Sequence, residues 1–216
     1  MITILNKENT VLNDFIAQLR DVTVQTDSLR FRHNLERMGE LTAYEISKKL
    51  SYEPTKVETP LGELDIMMCS DKVVLATILR AGVPYHQGFL NIFDKAESTF
   101  VSTFRKVSKD NSFKINVEYI SNCNLEEKTL ILVDPLIATG ASIVVAYEAL
   151  VEKGGMPKDI HIATIISSEE GLEFVQKRLP RNTHIWCGAV DEELTVRSFV
   201  VPGMGDAGDL AYGTKK

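Results

Sequence analysis

The sequence predicts an α/β fold, a mainly parallel central sheet flanked by helices. Two observations carry that expectation. Four runs are apolar on both faces: Lys72–Leu79, Lys128–Asp134, His161–Ile166 and, more weakly, His184–Val190. Continuous runs of this kind suit strands covered by helices on either side. Between them lie helical stretches at roughly 84–93, 141–153 and 169–179, and strands that alternate with helices build parallel βαβ units.

Each element follows from its own pattern. Val11, Leu12, Phe15, Ile16 and Leu19 recur at helical spacing over 11–20. Leu29, Leu35, Met38, Leu41 and Ile46 repeat that spacing between Asp27 and Leu50, with Asp27 placed to cap the start. Both stretches are mixed with charge, so each covers a core with one face only. Thr59-Pro60-Leu61-Gly62 reads as a turn between two short strands. Gly154-Gly155 closes the helix at 141–153, and Leu179-Pro180 the one at 169–179. Residues 106–118 are polar and turn-rich at their centre, which suits a long hairpin or a mobile loop that closes on a ligand. Residues 199–216 are rich in glycine and show no clear period. No internal repeat or linker divides the chain, so residues 1–216 are expected to form a single domain.

Composition excludes several classes. Apolar residues make up 44% of the 216 positions, enough for a hydrophobic core, and charged residues 25%. The net charge of −6 speaks against a nucleic-acid partner, which asks for a basic surface. Cys69, Cys123 and Cys187 are widely spaced, as expected of reduced thiols rather than a disulfide framework. The first residues form no signal-peptide core, and no apolar run approaches the ~20 residues needed to cross a bilayer. A cytoplasmic protein without a membrane partner is expected.

The chemistry concentrates in three segments. In the first, a buried strand ends at Asp134, a short loop carries Thr139, Gly140 and Ser142, and a helix begins. Free N–H groups at a helix start, with two hydroxyls, make an anion site, and Gly140 lets the backbone approach a phosphate closely. The loop lacks the lysine of a Walker A motif. Thr139-Gly140-Ala141-Ser142 alone also suits a simple capped turn. A carboxylate ending a buried parallel strand, however, stands where α/β sheets hold ligands. In the second segment, the strand before Arg80-Ala81-Gly82 ends in a tight turn whose guanidinium fork fits phosphate oxygens; read alone, such an arginine is more often a surface charge, and the pairing with Asp134 reverses that. The third is Phe199–Asp209. Its Gly203, Gly205 and Gly208 spell G-x-G-x-x-G, but only eight residues follow Gly208, too few for the helix and βαβ unit of a dinucleotide site. The four histidines show no metal-ligand spacing: His161 and His184 read as strand-end residues and His33 as a helix surface group. His86, just after the Arg80 turn, is within reach of a ligand.

Together these residues resemble a known family. Val133–Ser142 resembles the phosphoribosyl pyrophosphate signature of phosphoribosyltransferases, and its Asp134-Pro135 start resembles the uracil-specific branch. Thr77–Gly82 looks like that branch's pyrophosphate loop, and Pro202–Asp209 like its uracil-binding segment. Phe104-Arg105 falls where the family places an arginine after tyrosine. The chain departs from the pattern at Ala141, where glycine is usual, and at Phe104 and Phe199, where tyrosine is. Stacking on a base survives the change at Phe199, whereas a phenolic hydrogen bond does not. The landmarks fall in family order along nearly the whole chain.

The resemblance implies a type I phosphoribosyltransferase fold with a small hood built from terminal segments. It implies a pentosyltransferase that converts uracil and 5-phospho-α-D-ribose 1-diphosphate (PRPP) to UMP and diphosphate, a salvage reaction. PRPP would be held by Arg80, Ala81, Gly82 and Arg105, by Asp134, Pro135, Leu136, Ile137 and Ala138, by Thr139, Gly140, Ala141 and Ser142, and by Asp206. Uracil would meet Phe199, Val200, Gly205, Asp206 and Ala207. Asp134, Arg105 and Asp206 would be catalytic. Mg2+ would be bound mainly through substrate oxygens, with no dedicated protein ligand. Some members of the branch form dimers or larger homo-oligomers and respond to GTP, so both are expectations that no residue here fixes. The alternatives are a phosphoribosyltransferase for another base and a pyrimidine-responsive RNA-binding regulator on the same fold.

Overall fold

A computed structural model describes residues 1–107, 113–121 and 123–214, with backbone alone at 104–107 and 113–116. The chain begins with β1 (Ile2–Ile4), α1 (Val11–Arg20), α2 (Ser28–Ser47), β2 (Tyr52–Thr59), β3 (Gly62–Cys69) and β4 (Val73–Leu79). Next come α3 (Gly82–Ile92), β5 (Glu97–Val107), β6 (Phe113–Ile120), β7 (Thr129–Val133), β8 (Leu136–Ile137) and α4 (Ala141–Gly154). It closes with β9 (Asp159–Ser168), α5 (Glu169–Arg178), β10 (His184–Asp191), β11 (Glu193–Leu194), β12 (Val200–Val201) and α6 (Ala207–Tyr212).

The sheet runs β1-β10-β9-β7-β4-β5-β6, and β8 continues the pairing along β9. Every neighbouring pair is parallel except β5 with β6. The doubly apolar runs explain this arrangement. Val74, Ala76 and Ile78 of β4 pack with Leu130, Leu132 and residues of α4 and α5 on one face. Leu75, Ile131, Val133 and Ala163 pack on the other with α1, α2 and α3. Side chains alternate across a strand, so a sheet covered on both faces needs apolar residues at every position.

The helices on the second face start where their caps place them. Thr10 Oγ1 accepts from Leu12 N–H at 3.3 Å and Asp27 Oδ1 from Leu29 N–H at 3.0 Å. Leu12, Ile16 and Leu19 then turn inward from α1, and Phe31, Leu35, Met38 and Ile46 from α2. The far end of the chain joins them. Arg32 Nη1 donates to the Ala211 carbonyl at 2.8 Å, docking α6 on α2. Segments from the two ends of the chain are thus packed together on this face. Among the described residues no helix is long and apolar enough to cross a membrane.

Several expectations need adjustment. Asp134 stands just after its strand, which ends at Val133, and β9 is longer than the apolar run at its centre. The strands around the Thr59–Gly62 turn are eight residues each, and among the described residues they pair only with one another. The glycine-rich tail is not featureless: it holds β12 and α6. β1 and β5 were not foreseen. The polar stretch 106–118 lies in a hairpin of β5 and β6, and its centre, 108–112, is outside the described residues. His184 opens β10 as expected and His161 is the third residue of β9; both are buried, stacked on each other, with His184 also stacked on Trp186. Burial holds both imidazoles down at about 4.

Candidate functional site

The connection after β4 leads through α3 to β5 on one side of the sheet, and the connection after β7 leads through α4 to β9 on the other. Between adjacent parallel strands whose connections diverge, a crevice opens at the carboxyl ends, where α/β proteins bind ligands. Here that crevice is a cavity of about 680 Å³. Arg80 follows β4 and Asp134 follows β7, so two residues far apart in sequence meet on it.

Asp134 is half-buried against the ends of the strands. Leaving water pushes its carboxyl up to about 7 from the ordinary 3.8, and only a long bond from Leu136 N–H, 3.4 Å to Oδ1, works in the other direction. The following loop is held from behind. The Pro135 carbonyl accepts from Ile165 N–H at 3.2 Å and Ile166 N–H at 3.1 Å, Ser167 Oγ donates to the Ile137 carbonyl at 3.1 Å, and Ser168 Oγ donates to the Ala138 carbonyl. With its carbonyls tied to β9, the loop offers its other face to the cavity. Gly140 caps α4 at φ +77. A Cβ there would come within 2.7 Å of the Gly171 carbonyl oxygen and of Val175 Cγ2. Only glycine fits both that backbone conformation and that approach of α5. The first turn of α4 has no capping side chain at Gly140; Ala141 N–H reaches only Thr139 Oγ1, at 3.4 Å. Its free N–H groups make a site for an anion.

Arg80 does not stand free. Its Nη2 lies 2.8 Å from Asp209 Oδ1 and its Nη1 donates to the Gly213 carbonyl at 3.3 Å, while the buried Nε has no partner among the described residues. Gly82 is packed against Thr77, with no room for a side chain, and does not reach the cavity.

On the third side, β11 and β12 form a small antiparallel pair around a turn in which Thr195 N–H donates to the Phe199 carbonyl at 2.8 Å. The turn brings Arg197, Ser198 and Phe199 to the cavity rim, and Phe199 is 48% exposed. Gly205, Asp206 and Ala207 follow on the same wall. Asp206 Oδ1 accepts from Asp209 N–H at 3.0 Å and so caps α6.

Of the residues singled out from sequence, Arg80, Ala81, Asp134, Leu136, Ile137, Ala138, Thr139, Gly140 and Ser142 meet on this cavity with Phe199, Gly205, Asp206 and Ala207. Gly82, Pro135, Ala141 and Val200 do not line it; Val200 is buried in the core. The side chain of Arg105, on β5, lies outside the described residues. Ser102, Thr103, Ile143, Arg197 and Ser198 also line it and were not foreseen, and Gly208 of the 202–209 segment joins them. Ser198, beside the Phe199 already noted, carries a positive φ of 61, which its sequence does not signal. His86 is buried away from the cavity, its Nε2 3.1 Å from Ser98 Oγ and its ring held down at about 4 by burial.

Comparison with known proteins agrees with this geometry. Residues 6–214 match the family model for uracil phosphoribosyltransferase. A uracil phosphoribosyltransferase from Porphyromonas gingivalis is 52% identical over 211 residues, covering 98% of this chain and 97% of the relative. One from Pyrococcus furiosus is 34% identical, covering 96% and 88%. A solved structure from Aquifex aeolicus superposes with a TM-score of 0.87 at 25% identity, covering 99% of this chain and 98% of that one.

Proposed function

The chain belongs to the uracil phosphoribosyltransferase family, enzymes that join uracil to the phosphoribosyl group of PRPP, and we propose that it does so in the cavity between the ends of β4 and β7. The observation that carries this reading is the convergence of Arg80, Asp134, the 139–142 loop and the 205–207 segment on one 680 Å³ space. The chain works as one domain over 1–216, which its continuous sheet from β1 to β6 supports.

Each wall has a task in the reaction. The start of α4, with Thr139 and Ser142, holds the 5′-phosphate through N–H groups and hydroxyls. Asp134 accepts hydrogen bonds from the ribose hydroxyls and sets a negative charge beside the anomeric carbon, where oxocarbenium-like charge develops as in glycoside cleavage. Arg80 meets the departing diphosphate, joined by Arg105 from β5. The C1′–O bond breaks with its electron pair on the diphosphate, the uracil N1–C1′ bond forms, and the N1 proton passes to Asp206. Phe199 stacks on the base, and the backbone of 205–207 reads its edge.

Magnesium fits this donor set. Asp134 and Asp206 place carboxylate oxygens on the cavity, and among the described residues no cluster of three or more His, Cys, Asp or Glu forms a metal cage. A hard cation that keeps its waters and substrate oxygens needs few protein ligands and would be held here mainly through PRPP. When bound with PRPP it neutralises charge on the leaving diphosphate.

The base decides the test. Purified protein with Mg2+ and PRPP should release diphosphate on addition of uracil, and far less with orotate, cytosine or hypoxanthine. Backbone groups fixed against one edge leave a wrong base with unpaired polar atoms. Equal turnover of hypoxanthine would overturn the assignment of the base site.

A homo-oligomer completes the reading. Among the described residues the β2–β3 hairpin pairs with no other strand, and it exposes Leu61, Leu64, Ile66, Met67 and Met68. A lone two-stranded hairpin is marginal in water, and an exposed apolar arm favours a protein partner. A monomer mass by light scattering would contradict this.

A further inference from the structure

Behind the base segment, a partly buried ion pair ties opposite ends of the chain together. Arg20, the last residue of α1, sends Nη1 to Asp191 Oδ2 and Nη2 to Asp191 Oδ1, both at 2.8 Å. Asp191 closes β10; its side chain is 7% exposed, that of Arg20 21%. The pair does not end in itself. Asp191 Oδ2 also accepts from Gly203 N–H at 2.9 Å, and Arg20 Nη1 also donates to the Gly203 carbonyl at 2.9 Å. Both polar backbone groups of Gly203 are therefore held by charged side chains. Gly203 has φ +56 and lies just before Gly205, Asp206 and Ala207, which line the cavity. Gln25 braces the same place: its Nε2 donates to the Arg20 carbonyl at 3.0 Å, and its Oε1 faces Gly205.

A buried ion pair adds little net stability over apolar residues of the same shape. What this one adds is direction. A bidentate fork fixes the carboxylate in plane, and the two charges then fix the Gly203 peptide groups. Base selection by backbone groups depends on such fixing, since a displacement of about 1 Å costs on the order of 10²-fold in rate.

We propose that Arg20 and Asp191 are positioning residues for base selection, holding Gly203 so that the backbone of 205–207 meets one edge of uracil. The proposal rests on the reading of 199–207 as the base site. Neither residue lines the cavity; both act through Gly203.

Two substitutions test it. Arg20→Lys keeps the charge and loses the fork; Asp191→Asn keeps the shape and loses the charge. In each folded variant, KM for uracil should rise about tenfold or more, KM for PRPP should change less than about threefold, and the preference for uracil over cytosine should fall. An unchanged uracil KM and preference in a folded variant overturns the proposal. So do equal changes in both KM values, which mark a purely structural role. If Asp191→Asn does not fold, Arg20→Lys decides; if neither folds, the pair is structural and the proposal falls. Ala207→Val separates the two readings, because it crowds the base site directly. If it raises the uracil KM while Arg20→Lys does not, the base site stands and the positioning role fails. If it leaves the uracil KM unchanged, the base-site reading fails first.

Discussion

Arg80 Nη2 lies 2.8 Å from Asp209 Oδ1, which joins the turn after β4 to helix α6. The two walls of the cavity that would meet diphosphate and base are thereby linked without any ligand. Both side chains are about one-third exposed, at 35% and 30%, so the pair contributes no more than ~1 kcal/mol. Asp209→Asn should lower the melting temperature of the free protein by up to about 4 °C. With saturating PRPP the gap should narrow, because the diphosphate then supplies the charge that Arg80 has lost. Calorimetry with and without PRPP checks this, and a gap that widens with ligand would contradict it.

Asp134 should matter to catalysis and oppose stability. Charge-assisted hydrogen bonds are worth roughly 1.5–3 kcal/mol each. Two ribose hydroxyls could use this group, so Asp134→Asn should lower kcat/KM by about 10²–10⁴-fold. Its carboxyl is raised to about 7 in the folded protein, by burial, from 3.8. Between those values the unfolded chain has released its proton while the folded one keeps it, so stability falls as pH rises through that window. Asn carries no such charge. The variant should therefore melt above the parent at pH 8, with the gap closing towards pH 4. A gap that does not vary with pH would show a solvated carboxylate.

Gly140→Ala meets two obstacles at once. The left-handed backbone disfavours a side chain, and the new methyl would press on Gly171 and Val175. A loss of about 2–4 kcal/mol is expected from denaturant unfolding, together with a higher KM for PRPP. Full stability would mean that the loop yields easily and is not held by β9.

Ala141→Gly restores the residue usual in the family, yet its effect should lie elsewhere. Ala141 does not line the cavity and is the first residue of α4. The change should lower stability by about 0.5–1 kcal/mol through added backbone freedom. KM for PRPP should stay within about threefold of the parent. A large fall in that constant would show that the methyl group obstructs the phosphate after all.

The parts legible in the sequence were those written in neighbouring residues. Doubly apolar runs marked β4, β7, β9 and β10, and the carboxylate and glycine beyond two of them marked the cavity. β1, three residues long, carries too little pattern to declare itself; it exists because Ile2–Ile4 pairs with Ile185–Cys187. β5 has mixed polarity because one neighbour is an antiparallel edge strand rather than another buried one. Arg197 stood outside every motif, and reached the cavity only through the turn between β11 and β12. Arg20 and Asp191 were invisible for a simpler reason: nothing local distinguishes a charge that will find its partner 171 positions away.

That separation also orders how the enzyme comes into being. Synthesis runs from α1 to α6, and domains begin to organise as chain emerges. β4, β7, β9 and the loop that starts α4 are all made before Asp191 exists. The half of the cavity assigned to the phosphoribosyl group can therefore assemble early, from strands that are complete before β10 begins. Arg20, made first, waits with its charge unmatched until β10 is finished, and only then can Gly203 be held. Nascent chains should pass through a stage able to retain phosphate but blind to the base, so the ability to choose uracil arrives last.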